Sequence, residues 1–198
     1  MSMTALARTL VFAAAALALA ACGSHAQMRT GFIPGAVALV EKDDMTAQWR
    51  ASLDASRFGG VVVAPVSTPQ ADAYGDLSEE KLAEVRRLFG EALSAEFKGM
   101  PVTGKAGANP LVIRAAVTAI KPNKPVLNVA PQTQMFKRGY GYASCEIYAT
   151  DGENGPVVAA FMQTADTQRL STEKYSDIGT AERAAKDWAK AFRELVGR

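Results

Sequence analysis

The sequence predicts an α+β domain, a two-layer sandwich in which a mainly antiparallel sheet of about four strands carries two helices on one face. Two segments repeat apolar residues at helical spacing, and several segments alternate apolar and polar residues as strands do. A turn-rich segment at Asp151–Gly155 separates two of the alternating runs, which is typical of a hairpin. Because helices and sheets each bury an apolar face, the element order β-α-β-β-β-α fits both helices on one side of the sheet.

The first predicted strand, Val61–Val66, is a run of β-branched residues that follows two glycines. The first helix is predicted to begin near Asp76 or Ser78, where Glu79 favours the positive end of the helix dipole. Gly99 suits its C-terminal end. The apolar residues of this helix recur at helical spacing, and they are Leu82, Val85, Phe89, Leu93 and Phe97.

Three further strands are predicted at Leu111–Ile120, Tyr140–Thr150 and Val157–Gln163, since apolar and polar residues alternate there. A proline-rich loop, Lys121–Arg138, joins the first two of these strands. A final helix is predicted from apolar residues at helical spacing, namely Ala181, Ala184, Trp188, Ala191 and Leu195.

The composition limits the classes of function. The chain has 198 residues, of which 48% are hydrophobic, and a formal net charge of +2. One domain with extensions fits this length, and so nearly neutral a chain has no general attraction for nucleic acid. The only histidine, His25, lies before the predicted domain, so the fold lacks a histidine base. We therefore expect no catalytic residue, no cofactor and no metal site.

Residues 1–21 have the features of a lipoprotein signal peptide. The apolar run Leu10–Ala21 is shorter than the roughly 20 residues that a membrane-spanning helix needs. It leads into the letters L-A-A-C at residues 19–22, which resemble the lipobox at which bacterial lipoproteins are cut before the cysteine. We therefore expect lipid attachment at Cys22. The alternative is an ordinary secretory signal with an incidental cysteine.

The same resemblance implies an outer-membrane lipoprotein that faces the periplasm, because Gly23 stands where an aspartate would favour the inner membrane. Several acyl chains, such as palmitate, would hold the protein stably, whereas one chain binds only marginally. Residues 22–59 are predicted as a lipidated tether and irregular lead-in, with Phe32–Pro34 as a short docking segment and Trp49 packed against the domain. The single α+β domain is expected at residues 60–198.

Three residues of the predicted strands are candidates for a structural or a chemical role. Arg114 and Glu146 lie on different strands and could form a cross-strand ion pair, and a catalytic carboxylate is the alternative for Glu146. Cys145 alternates with apolar neighbours, so we expect a buried thiol that behaves as a small apolar residue. The alternative for Cys145 is a reactive thiol.

The Lys121–Arg138 loop is the predicted interaction surface. Basic and aromatic side chains occur together in it, and long loops in compact domains often carry function. The candidate residues are Lys121, Lys124, Phe136, Lys137 and Arg138. A solvated loop without a partner is the alternative.

Six short runs of the sequence resemble the DUF3313 family of bacterial lipoproteins, a family named for its unknown function. The resemblance covers most of the mature chain and implies a lipobox, an envelope location and a compact α+β domain. It supplies no catalytic signature. The runs are Gly31–Phe32, Val63–Val66, Ile113–Thr118, Ser144–Ile147, Asp151–Gly152 and Trp188–Ala189.

The sequence therefore predicts a lipid-anchored envelope lipoprotein without enzymatic activity, which binds or assembles with an envelope protein and does not bind nucleic acid. It could be accessory to an envelope transport machine, by analogy of fold alone. The alternative is a carrier of a small apolar ligand or lipid, which would need a pocket of a few hundred Å³ between sheet and helices.

Overall fold

The structure of the chain is a computed structural model, which describes residues 29–52, 54–75, 77–100, 108–121, 142–166 and 179–197. Short 3-10 turns occur at Ala55–Arg57 and Ala71–Ala73. The strands and helices are, in chain order, β1 Val40–Asp43, β2 Thr46–Arg50, β3 Val61–Val63, α1 Glu79–Phe97, β4 Leu111–Lys121, β5 Tyr142–Asp151, β6 Val157–Asp166 and α2 Gly179–Gly197.

The six strands form one mixed sheet in the order β1-β2-β6-β5-β4-β3. The β3–β4 pair is parallel, and the other four neighbouring pairs are antiparallel. The prediction of a four-stranded, mainly antiparallel sheet is therefore wrong, although the class is still α+β. The predicted β-α-β-β-β-α series is present as β3 to α2, and β1 and β2 precede it.

The hairpin β1–β2 lies inside the segment that the sequence predicted to be irregular. Its first strand is rich in charged residues, which are poor strand formers, so the sequence carries no clear strand signal there. The hairpin is stabilised by tertiary pairing, since β2 is antiparallel to β6 from Thr46 opposite Gln163 to Arg50 opposite Ala159. The Gln163 side-chain amide also donates to the Thr46 hydroxyl at 2.8 Å.

Both helices pack on one face of the sheet, here called the helix face, and form the main hydrophobic core with it. Helix α1 begins after Ser78, whose hydroxyl accepts a hydrogen bond from the Lys81 backbone N–H. The five apolar residues predicted for this helix are all buried, which confirms its amphipathic pattern. Strand β3 ends at Val63, earlier than the predicted Val66, because the regular pairing with β4 is interrupted between Ala64, whose N–H donates to the Ile113 carbonyl, and Ser67, whose N–H donates to the Ala115 carbonyl.

Among the described residues, neither helix is long and apolar enough to cross a membrane.

Candidate functional site

The opposite face of the sheet, here called the outer face, is covered by the chain segment that precedes β1. This segment, residues 29–39, is called the lead-in below. Its side chains Ile33 and Val37 are buried, and they form a second, smaller apolar cluster with residues of the sheet. The sheet contributes Ala47, Ala160 and Met162, and Leu39, Trp49, Tyr148 and Val157 pack around them.

Glu146 of β5 holds the lead-in on the outer face. Its side chain is fully buried, at 0% exposure. One carboxylate oxygen accepts a hydrogen bond from the Thr30 backbone N–H at 2.6 Å, and the other accepts one from the Ile33 N–H at 2.9 Å. A buried carboxylate is costly unless it is hydrogen-bonded, and here both oxygens have a donor. Glu146 therefore positions the lead-in through its backbone.

The turn that presents these two N–H groups requires a glycine. Gly31 lies between the donors and has a φ of +89°, in the left-handed region that side chains disfavour. The following residue, Phe32, places its ring 5.4 Å from the Tyr148 ring at a tilted angle. The predicted docking segment is thus confirmed at Phe32 and Ile33, which contact the sheet.

Arg29 closes the lead-in on itself. Its guanidinium donates to the backbone carbonyls of Val37 at 2.9 Å and Pro34 at 2.6 Å, and the Val37 N–H donates back to the Pro34 carbonyl at 3.0 Å. A planar guanidinium with several donors suits such multiple contacts. The described chain therefore enters the domain through a fixed turn.

The predicted ion pair between Arg114 and Glu146 is wrong. Arg114 instead donates to the Glu153 carboxylate at 2.6 Å and to the Thr150 hydroxyl at 2.9 Å, and its guanidinium lies 5.9 Å from the centre of the Tyr148 ring. Glu146 is opposite Ala116 in the β4–β5 register. The partners of Glu146 are the backbone N–H groups of Thr30 and Ile33. Because a backbone group has no residue type of its own, the sequence pattern could not have predicted this contact.

Cys145 is a buried free thiol, which confirms the prediction of its burial. Burial raises the pKa of this thiol well above its ordinary value, because the charged form would lose its hydration. A thiolate is the reactive form of cysteine, so this arrangement disfavours reactivity in the folded protein.

The other predicted site residues lie outside the described part of the chain. These are Cys22 and the loop residues Lys124, Phe136, Lys137 and Arg138, whereas the Lys121 backbone is described as the last residue of β4. No group of histidine, cysteine and carboxylate side chains among the described residues could hold a metal ion.

The sequence profile of DUF3313, a protein family of unknown function, matches residues 37–192. This chain belongs to the DUF3313 family. The predicted family is thereby confirmed. The DUF3313 match extends from the end of the lead-in into α2 and includes Glu146, and it assigns no activity.

No curated protein sequence is a significant match to this DUF3313 chain. Among solved structures, a variant of the PelC dodecamer from Paraburkholderia phytofirmans is similar at 16% identity and a TM-score of 0.45, covering 75% of this chain and 98% of that one. A PDZ domain protein from Parabacteroides distasonis has 12% identity and a TM-score of 0.41, covering 74% and 34%. The hypothetical protein CT253 from Chlamydia trachomatis has 12% identity and a TM-score of 0.35, covering 69% and 99%. At TM-scores of 0.45 and below, these likenesses carry no functional weight.

Proposed function

We propose that this DUF3313 chain is a lipid-anchored lipoprotein of the bacterial envelope, held at the outer membrane by acyl chains on Cys22 and facing the periplasm. Its role is to bind or assemble with an envelope protein, without catalysis. The observation that supports an anchored domain most directly is the docked lead-in, since the segment that follows the proposed lipid site is fixed to the sheet by Glu146.

The docked lead-in limits how far the domain could lie from the membrane. Arg29 is seven residues after Cys22 in the sequence. A fully extended chain spans at most about 3.5 Å per residue, so Cys22 and Arg29 are at most about 25 Å apart. A domain held this closely is suited to work at the membrane surface, where an envelope assembly would meet it.

The one buried carboxylate in the described sheet, Glu146, is used in structural contacts. Both oxygens of Glu146 accept backbone hydrogen bonds, and its side chain has no exposed surface. A general acid or base must reach a substrate within hydrogen-bond distance. The described geometry therefore gives Glu146 a structural role.

The carrier alternative has less support, because aromatic side chains fill the space between the sheet and the helices. The Phe89 and Trp188 rings are 5.5 Å apart, and the Phe161 and Phe192 rings are 6.4 Å apart. All four side chains are buried at 1% exposure or less. Within the described residues, an apolar ligand at this interface would have to displace them.

Metabolic labelling with an alkyne analogue of palmitate tests the anchor. The full chain should incorporate the label and fractionate with the outer membrane, and C22A should lose both properties. C145A is the matched control, because it removes the other cysteine of the chain and should keep the label. Labelling that survives C22A would refute the proposed lipid site.

Photocrosslinking in the native envelope tests the binding role, with one probe at Lys124 and one at Phe136 in the predicted interaction loop. A discrete crosslinked protein at either position would support assembly with an envelope partner. Crosslinks to lipid alone would instead favour the carrier role.

A further inference from the structure

Strand β3, at one edge of the sheet, has backbone groups that no described residue pairs. The Gly60 carbonyl accepts from the Leu111 N–H at 2.9 Å, and the Ala64 N–H donates to the Ile113 carbonyl at 2.9 Å, so both residues face β4. Successive residues of a strand point their N–H and C=O groups to opposite sides. The N–H and C=O groups of Val61 and Val63 therefore point to the open edge.

The opposite edge of the sheet, β1, is of a different kind. Its residues Glu41, Lys42 and Asp43 are charged and exposed, and its pairing with β2 is irregular between Glu41 and Asp43. Charges and bulges on an edge strand are devices that prevent pairing with another chain. Strand β3 has neither device: the sequence has no charged residue from Phe58 to Ala71, and the pairing of β3 with β4 has no register shift.

An open groove of about 570 Å³ adjoins the C-terminal end of β3 at Val63 and the three residues that follow it. One wall is Val63–Val66, and the other is the surface of α1, which includes Arg87 and Glu91. Arg87 and Glu91 are paired with each other at 2.7 Å, and Arg86, which also lines the groove, is paired with Glu79. An exposed strand edge beside a groove is the geometry that accepts an added β-strand.

Two glycines, Gly60 and Gly90, lie next to this edge, and the described residues around them leave room for a larger side chain. Gly90 lies in the middle of α1 and lines the groove, where glycine costs about 1 kcal/mol relative to alanine. A Cβ at position 90 would meet the Val66 side chain at 3.8 Å, an ordinary contact, and a Cβ at Gly60 would meet nothing within 4 Å. Neither glycine has a positive φ. Their small size keeps the edge accessible to a close-approaching backbone.

The absence of charge on the β3 edge indicates which kind of strand would pair with it. The uncharged β3 edge has no side chain that would attract a charged peptide. It can pair with another uncharged strand, because no like charges would then lie opposite one another. This chain carries such a strand, since β3 is three valines. Antiparallel pairing of β3 with itself is also self-complementary, as a two-fold symmetric interface requires.

The hydrogen-bonding groups fix the register. With Val62 on the two-fold axis, Val61 of each copy is opposite the partner's Val63, and all the outward N–H and C=O groups of both residues are paired. Centring the pair on Val63 would place Val61 opposite the partner's Pro65, which has no N–H. Centring it on Val61 would use the partner's Gly59, whose N–H already donates to the Asn109 carbonyl at 3.1 Å.

We infer that two copies of this chain pair through their β3 edges, antiparallel and centred on Val62, so that the two six-stranded sheets continue into one another. Val62 is 46% exposed and is not in the helix-face core, so its side chain is free to meet its counterpart. In this register the two Val62 residues form a non-hydrogen-bonded pair, with Cα atoms about 4.5 Å apart. A disulfide tolerates that separation.

Disulfide crosslinking of the full chain in the envelope tests the inference. V62C should give an oxidant-dependent band at twice the monomer mass that is absent from the unsubstituted chain, whose Cys145 is buried. V40C is the matched control, because Val40 is more exposed, at 65%, but lies on the charged β1 edge. V40C should stay monomeric.

A second pair of variants separates strand pairing from side-chain contact. V62C/V63P removes an outward N–H without removing a β3–β4 hydrogen bond, and it should lose the crosslinked dimer. V62C/V63A loses the same valine side chain but keeps the N–H, and it should retain the dimer. Protease resistance of each variant shows that the domain is still folded.

Four results would overturn the inference: no dimer from V62C, equal crosslinking of V40C and V62C, a dimer that persists in folded V62C/V63P, or a mixed dimer between co-expressed V40C and V62C chains. The last result would indicate head-to-tail pairing of the two edges. The outcome is independent of the anchor, because C22A tests lipidation separately.

Discussion

The two faces of the sheet are covered in different ways. The helix face is packed by regular helices whose large aromatic side chains contact one another, such as Phe89 with Trp188 and Phe97 with Phe192. The outer face is covered by the lead-in, an irregular segment held by a small apolar cluster and by two backbone hydrogen bonds to Glu146. The helix face thus depends on burial of large side chains, and the outer face on a small apolar cluster together with one carboxylate.

This difference implies that the two faces have different local stabilities. Segments with few buried apolar contacts open at lower free energy than core helices do. The lead-in contributes only Ile33 and Val37 as buried apolar side chains. We therefore expect the lead-in to detach before the helix-face core unfolds, and the following substitutions test that order.

The largest effect is expected from the tryptophan on the helix face. W188A should lower the free energy of unfolding by about 3–5 kcal/mol, because Trp188 is 1% exposed and leaves a large cavity. Its counterpart on the outer face, Trp49, is only partly buried, so W49A should cost about 1–2 kcal/mol. Urea unfolding measures both values, and equal losses would contradict the contrast between the faces.

The second effect is expected at Glu146. E146Q keeps the shape of the side chain but turns an amide NH2 group toward one of two backbone N–H donors, a mismatch that costs about 1–3 kcal/mol. The cost should be local. Hydrogen exchange at the Thr30 and Ile33 amides should accelerate about ten- to a hundredfold, with the amides of α1 and α2 unchanged.

E153Q is the matched control for E146Q. Glu153 also accepts hydrogen bonds, from Arg114, but its side chain is 71% exposed, so its ion pair contributes little to stability. E153Q should leave exchange in the lead-in unchanged. If E146Q accelerated exchange equally in the helices, the lead-in would not be a separate unit.

The third effect is expected at the turn of the lead-in. G31A should cost about 1–2 kcal/mol, because alanine is strained at a φ of +89° even though a Cβ there meets nothing within 4 Å. G35A is the control, since Gly35 has equal space without a positive φ. Lead-in proteolysis should therefore accelerate in G31A and not in G35A. Equal rates would show that the turn does not limit docking.

The smallest effect is expected at Tyr74 on the helix face. Its hydroxyl donates to the Val117 carbonyl at 3.0 Å and accepts from the Gln70 N–H at 3.0 Å, so Y74F should cost about 1 kcal/mol at neutral pH. Burial raises the pKa of Tyr74, so its contribution is complete below the unfolded pKa of about 10 and is lost as the pH rises through the folded value.

Urea unfolding of wild type and Y74F across this range checks the prediction. The difference in unfolding free energy between the two proteins should shrink above about pH 10. A difference that stays constant with pH would show that Tyr74 does not stay protonated in the fold.

The sequence by itself determined the elements that carry their own periodic signal. Helix α1 could be predicted from five apolar residues, and all five are buried. Its start could be predicted only as near Asp76 or Ser78, and the structure has Ser78 as the cap. Strands β4, β5 and β6 could be predicted from alternation, with ends within a few residues of the observed ones. Burial of Cys145 followed from the same alternation. In each case the information lies in neighbouring residues, because one face of the element is apolar.

Only the tertiary structure decided the features that depend on distant backbone. The β1–β2 hairpin has a weak local signal and exists because β2 pairs with β6, more than a hundred residues away in sequence. Glu146 is bound by the N–H groups of Thr30 and Ile33, which every residue except proline possesses, so no residue type marks the contact. The free edge of β3 likewise follows from its place at the end of the sheet. Side-chain patterns specify which segments form helices and strands, whereas backbone hydrogen bonds between distant segments leave no pattern to detect.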